Sequence, residues 1–391
     1  MQKLDRTLRG GSAGKEAETI KRGKRGSRVS EKLVIDIFKP PAFEKARLDI
    51  EHLNTVMGKS LAYASSGRVA LYHILKSLQV SDKVLVPAYI CDSILLPINK
   101  LGIIPIFYDL EEMDLNASLE SIDFLSGKFN VKHLLVASMY GNPANLAGIE
   151  KFCREKGIAL IDDAAQSFGA RLGDRPVGTF GDAGFFSFSP GKPTAGHMGA
   201  FFWTSNEAYN FTRTTHALAH RIIYLDFYFN RLNIYKYRGF RRVNLFPFTR
   251  RVLNKLVDLT NDDISPFETE VLGGILGAVL NNKFDFRRRY VGEFEERFKD
   301  YEFFRVIKAV RGTPNNHKFV LLAGSRDIAE ALSAHLSAHK IFSLKGYRLL
   351  TSDVAYLPNA KKIEGRVVEI SIEDDTAKME YLFEIISKFR G

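Results

Sequence analysis

From about Leu33 onward, short apolar runs alternate with longer stretches in which apolar and polar residues follow the helical period. "SSGRVALYHILKSLQV" sets Val69, Leu71, Ile74, Leu75 and Leu78 on one side of a helix that opens from a Gly-containing turn. "KVLVPAYI" predicts a strand, "SILLPINKLG" a helix interrupted near Pro97 or beginning after it, and "IIPIFYDL" a second strand. The alternation continues with "VKHLLVASMYG" as a strand, "LAGIEKFCREKG" as a helix and "IALIDDAAQ" as a strand. "FFSFSPGKPTAGHMGAFFW" then places two apolar, aromatic strands on either side of a Pro/Gly loop. Apolar strands alternating with helices predict βαβ units around a parallel sheet buried on both faces. In such a sheet, ligands gather at the carboxyl ends of the strands.

Several polar residues fall at those ends. Asp162 and Asp163 follow the apolar "IALI", and Gln166 lies three residues beyond Asp163. Ser66, Gly67 and Arg68 stand where the chain enters a helix, and a helix N-terminus with a glycine is suited to an anion. Ser187 and Lys192 belong to the aromatic strand and the loop after it. A phosphate cradle, a strand-end carboxylate and a loop lysine together are the equipment of a pyridoxal phosphate (PLP) enzyme. The lysine amine can carry the cofactor aldehyde and move a proton, and the carboxylate can keep the pyridine nitrogen protonated. An aromatic ring commonly covers such a cofactor, and Tyr89 is the candidate, with plain packing as its equal alternative. Taken singly, each feature has an ordinary explanation. A lysine in a Pro/Gly turn is usually a solvated charge, Asp163 could cap a helix, and Ser66–Gly67 could be capping alone.

The chain also resembles a known family in "SSGRVAL", "VLVPAYICDS", "ALIDDAAQSFGA", "GDAGFFSFSPGK" and "GHMGAFF", which follow in order the motifs of the DegT/StrS-type sugar aminotransferases. The specific pieces are Asp-Asp-Ala-Ala-Gln and Ser-Pro-Gly-Lys at a matching separation. The resemblance is good over roughly 62–205 and weaker beyond. It implies an α/β, PLP-dependent transferase fold like that of aspartate aminotransferase, with a mostly parallel central sheet and a smaller C-terminal α+β domain. It further implies Lys192 as the Schiff-base lysine, Asp163 at the pyridine nitrogen, Gln166 beside the 3-hydroxyl, Ser187 on the phosphate and Gly67 with its neighbours as the phosphate turn. Asn261 matches a family asparagine that reaches the phosphate from a neighbouring subunit, so a homodimer with shared sites follows; helix capping is an equal reading of that residue. The implied reaction moves an amino group from an amino acid, usually glutamate, to a keto group on a nucleotide-linked sugar.

The chain departs from the family pattern at Arg68, where threonine is usual, and at Asp263, where arginine is usual. One reading is that Arg68 restores at the phosphate the cation lost at Asp263. His197 stands where an acidic residue often follows the lysine loop. Two alternatives remain: a sugar dehydratase of the same fold, whose members carry histidine at the lysine position, and a regulator or scaffold that kept the fold without the chemistry.

Composition changes this picture in few places. The 391 residues suffice for a large α/β domain, expected over 45–260, and a smaller one over 261–391. The net charge of +11 is concentrated in two segments. Residues 1–30 hold nine Lys/Arg against three acids and, through 32, read as a disordered basic tail. Residues 211–256 interleave ten aromatics with ten cations against one acid. That segment reads first as a subunit contact with its cations in water and second as a peripheral contact with anionic lipid. Nucleic acid is the last choice, because the core gives it no role. Two cysteines, Cys91 and Cys153, provide neither a disulfide framework nor metal spacing, and both read as inert core thiols. With no apolar run near 18 to 20 residues and no secretory-signal core, the expected setting is cytoplasmic.

Overall fold

The computed structural model describes residues 51–64, 66–188, 192–193, 199–209 and 285–391. Asn261, Asp263, His197, the tail 1–32, the segment 211–256 and the 260/261 domain boundary lie outside these residues. A seven-stranded sheet has the order β1-β9-β8-β5-β4-β2-β3. Its strands are β1 (Ala62–Ala64), β2 (Lys83–Pro87), β3 (Ile104–Tyr108), β4 (His133–Ala137), β5 (Ala159–Asp163), β8 (Ala183–Ser187) and β9 (Ala200–Thr204). β3, β2, β4, β5 and β8 pair in parallel, and β9 runs against both its neighbours, β8 and β1. The mostly parallel sheet is the one the apolar strands predict.

Alternation along the strands builds two cores, one on each face. Val84, Leu135 and Ile161 enter one; Leu85, Leu134 and Leu160 enter the other. The crossover helices are α1 (Gly67–Ser77), α2 (Leu95–Lys100), α3 (Leu119–Phe129) and α4 (Leu146–Lys156). α1 begins at Ser66, whose hydroxyl accepts from Val69 N–H, and buries Val69, Leu71, Ile74 and Leu75 as its period predicts. α2 corrects the expected break at Pro97. The helix starts at Leu95 and holds Pro97 in its first turn, where a missing N–H has no intrahelical partner to lose. α3 was not evident from the pattern; Ser118 caps it through a bond from Ser121 N–H, and Asn130 ends it in the left-handed conformation. A two-stranded ribbon, β6 (Arg171–Leu172) and β7 (Arg175–Pro176), lies between β5 and β8 in the chain.

A second, four-stranded antiparallel sheet has the order β10-β11-β13-β12. It comprises β10 (Phe304–Val306), β11 (Lys318–Ala323), β12 (Ser343–Lys345) and β13 (Val367–Ser371). α5 (Asp285–Phe298), α6 (Arg326–Ala338) and α8 (Thr376–Ser387) share its core, in which Phe294 stacks on Phe319 at 4.4 Å between ring centroids. Between β12 and β13, the short α7 (Pro358–Ile363) is tied to the large sheet by Asp109. That buried carboxylate accepts from Asn359 and Ala360 N–H at 2.9 and 2.7 Å, capping the helix from across the molecule. Among the described residues no helix is long and apolar enough to cross a membrane.

Candidate active site

β5 delivers the first component. Its last two residues point to opposite faces, and Asp163 turns to a cavity of about 290 Å³ at the carboxyl edge of the sheet. Asp163 Oδ1 accepts from Ala165 N–H at 2.9 Å. Burial nevertheless raises its pKa to about 6, against the lowering effects of that bond and of the Lys192 charge. Lys192 lines the same cavity, and burial lowers the pKa of its ammonium while Asp163 opposes that shift. The two groups thus hold each other's charge in a site that disfavours both charges separately.

The second component is the start of α1. Ser66, Gly67 and Arg68 line the cavity, so the positive end of the helix opens on it. Gly67 lies close to β8: a Cβ there would sit 3.3 Å from Ser187 Cβ and 3.5 Å from the Phe185 ring. Ser187, the last residue of β8, is 4% exposed and lines the same cavity next to this helix start. Gln166 completes the set; its Oε1 accepts from Tyr140 N–H at 3.3 Å. The lysine loop is held from the C-terminal half of the chain, because Arg287 Nη2 donates to Pro193 O at 2.7 Å. No local sequence signal pointed to Arg287.

Ser66, Gly67, Arg68, Asp163, Gln166, Ser187 and Lys192 therefore converge, though they span 126 positions of the chain. Tyr89 does not join them. It is 2% exposed and sits in a tyrosine cluster: its hydroxyl bonds to Tyr140 OH at 3.1 Å and accepts from Tyr347 N–H at 3.2 Å, with the Tyr347 ring edge-on. Of the two readings of Tyr89, stacking partner or packing residue, its place here is a packed one, away from the cavity lining. Two residues later, Cys91 lines the cavity and is partly exposed, so it is not the core thiol expected. Cys153 is one: it is buried, and burial pushes its pKa up to about 12. Among the described residues no group of three or more His, Cys, Asp or Glu could hold a metal ion.

The fold and this site define an α/β protein with a lysine and a carboxylate in one strand-end cavity. A solved DegT DnrJ EryC1 StrS aminotransferase from Brucella abortus shares the fold, with a TM-score of 0.68 and 18% identity over 93% of this chain and 97% of that one. So does the E. coli GDP-4-keto-6-deoxy-D-mannose-3-dehydratase solved with bound hydrated PLP, with a TM-score of 0.65 and 17% identity over 92% of this chain and 95% of that one. Residues 50–238, the stretch that holds every cavity-lining residue, match the model of the DegT/DnrJ/EryC1/StrS aminotransferase family. The GDP-perosamine synthase of Vibrio cholerae is 30% identical over 156 residues. The matched segment is 39% of this chain and 42% of that protein, so the likeness in sequence spans about two fifths of the relative's length.

Proposed function

We propose that this protein is a PLP-dependent aminotransferase that moves an amino group from an amino acid, L-glutamate first among the candidates, to a keto sugar linked to a nucleotide. The observation that carries the reading is the shared cavity, where Lys192, Asp163 and the open N-terminus of α1 meet at the edge of a parallel sheet. The residues suit the cofactor's three kinds of group. Its phosphate would be held by the start of α1 at Ser66–Gly67, by Ser187 and by the cation of Arg68. Gly67 favours that approach, since a side chain there would narrow the gap to Ser187. Asp163 would hold the proton on the ring nitrogen, and Gln166 would stand beside the 3-hydroxyl.

When bound, PLP supplies an electron-accepting ring that stabilises negative charge at the α-carbon of the amino donor. The protein's part is to place the donor and to move protons. Lys192 Nζ, with its ammonium pKa lowered by burial, has a neutral form within reach as a base and a charged form as the matching acid. The apolar walls contributed by Leu71, Ile90 and Phe185 limit water near that amine. The relative from Vibrio cholerae, named for a GDP-linked sugar, supports a sugar nucleotide as the acceptor class.

The test is the visible absorption spectrum of the protein with PLP, before and after L-glutamate, for wild type and Lys192→Ala. Wild type should show a visible band of lysine-bound cofactor that glutamate removes, and the variant should lack it. A wild type without the band would overturn the reading, and a band that glutamate leaves untouched would overturn the choice of donor.

A further inference from the structure

Three segments distant in sequence meet beside the cavity at Asn315. Its Nδ2 donates to Gln166 O at 2.9 Å and to Phe168 O at 3.0 Å, and its backbone N–H donates to Gly141 O at 3.2 Å. The circuit closes through Tyr140 N–H, which donates to Gln166 Oε1. One asparagine thus holds the main chain of Gln166, while the segment it also holds at Gly141 orients the Gln166 side chain. Asn315 is 7% exposed, so water is poorly placed to replace these bonds. Next to it, Arg171 and Thr313 exchange backbone hydrogen bonds of 2.9 and 2.8 Å and fix the approach of the segment.

The corner that receives Asn315 is shaped for it. Tyr140 and Gly141 have φ of 57° and 86°, in the left-handed region. A Cβ on Gly141 would lie 1.8 Å from Asn315 Oδ1, so only glycine permits the contact. Both amide protons of Asn315 go to main-chain carbonyls, which an aspartate of the same size could not serve. Asn315 lies three residues before β11, so the four-stranded sheet is linked to the Gln166 segment through this side chain.

The geometry points to Asn315 as a positioning residue that sets the place and orientation of Gln166 in the active site. It touches neither the cavity nor the lysine; it acts through Gln166 and through the 139–141 corner. The catalytic consequence rests on the cofactor reading above, whereas the three-segment clamp stands on its own distances.

Two measurements separate the parts. With PLP bound, Asn315→Ala should move the pH midpoint of the visible band in the same direction as Gln166→Ala, and the double variant should move it no further. The affinity for PLP should fall on the order of tenfold, the scale of one lost buried hydrogen bond. A variant that loses thermal stability yet keeps the wild-type midpoint and affinity would show that Asn315 only supports the fold, and the proposal would be overturned. Should the alanine variant not fold, Asn315→Ser carries the test, because its hydroxyl can serve one of the two carbonyls and should give a smaller shift of the same sign. Without PLP, amide hydrogen exchange at 139–141 and 164–168 should be faster in Asn315→Ala, or in Asn315→Ser, than in wild type. Unchanged exchange overturns the clamp. Faster exchange in a protein whose wild type never shows the visible band would sink the cofactor reading and leave the clamp standing.

Discussion

On β5, Asp162 turns to the face that carries Leu160 and Phe186, and Asp163 to the face that carries Ile161 and Phe185. Both carboxyls are buried, and burial raises both pKa values, to about 7 and about 6. Their partners differ. Asp162 Oδ2 accepts from Gly178 and Phe180 N–H at 2.6 and 3.1 Å, stitching the loop before β8 to the sheet. Asp163 takes one main-chain bond, from Ala165, and otherwise faces a cavity and a lysine. Burial and a shifted pKa therefore do not identify a chemical group by themselves. What separates the two is whether the main chain or an open site receives the carboxylate.

Exchanging each aspartate for asparagine should pull the two roles apart. The largest effect belongs to Asp163→Asn: glutamate-dependent turnover should fall on the order of 10²-fold or more, and Tm should drop as well, because Lys192 loses the carboxylate that holds its charge. Turnover within a factor of a few of wild type, measured by loss of the visible band in stopped flow, would erase the distinction. Asp162→Asn should leave the spectrum intact and change the pH dependence of stability instead. With a folded pKa near 7, above its ordinary value, the native state binds the Asp162 proton more tightly than the unfolded chain does. Its contribution is thus fully present at low pH and declines as pH rises from about 4 to about 7. The Tm of wild type minus that of the variant, measured without PLP, should fall over this window. A difference that stays flat would mean that the backbone bonds from Gly178 and Phe180 hold Asp162 ionised throughout.

Much of this arrangement was legible in the chain. Apolar strands alternating with amphipathic helices specify the parallel sheet, and the topology then carries Asp163, Gln166, Ser187 and the 66–68 turn to one edge. The order of those elements is local information. What was not legible is side-chain destination over long separations. Tyr89 sits in a segment that could offer its ring to a ligand, but its hydroxyl is engaged by residues 51 and 258 positions away. Asn315 looks like an ordinary loop residue in "TPNNHK", and only the fold brings it to Gln166, 149 positions earlier. Pro97 hides the start of α2 for a different reason: proline disrupts helix interiors but not first turns, and that start has no side-chain cap to mark it.

The smallest expected effect tests the same comparison at atomic scale, on the cavity side. Gly67 has a negative φ compatible with any residue, so alanine there carries no backbone penalty, and only space matters. The added methyl would meet Ser187 Cβ at 3.3 Å and Oγ at 3.4 Å, contacts that a shift of a few tenths of an ångström can relieve. Gly178, on the Asp162 side, is different: its φ is +96° and a Cβ would fall 2.2 Å from the Phe186 ring. Gly67→Ala should therefore fold with a Tm equal to wild type or slightly higher, since alanine is the better helix former. Its cost should appear in the cavity, as a loss of PLP affinity of roughly three- to tenfold from crowding between the start of α1 and Ser187. Equilibrium titration of the visible band against PLP reads that change directly. Wild-type affinity in Gly67→Ala would mean that the start of α1 does not grip the phosphate closely, and that the anion site must lie farther along the cavity wall.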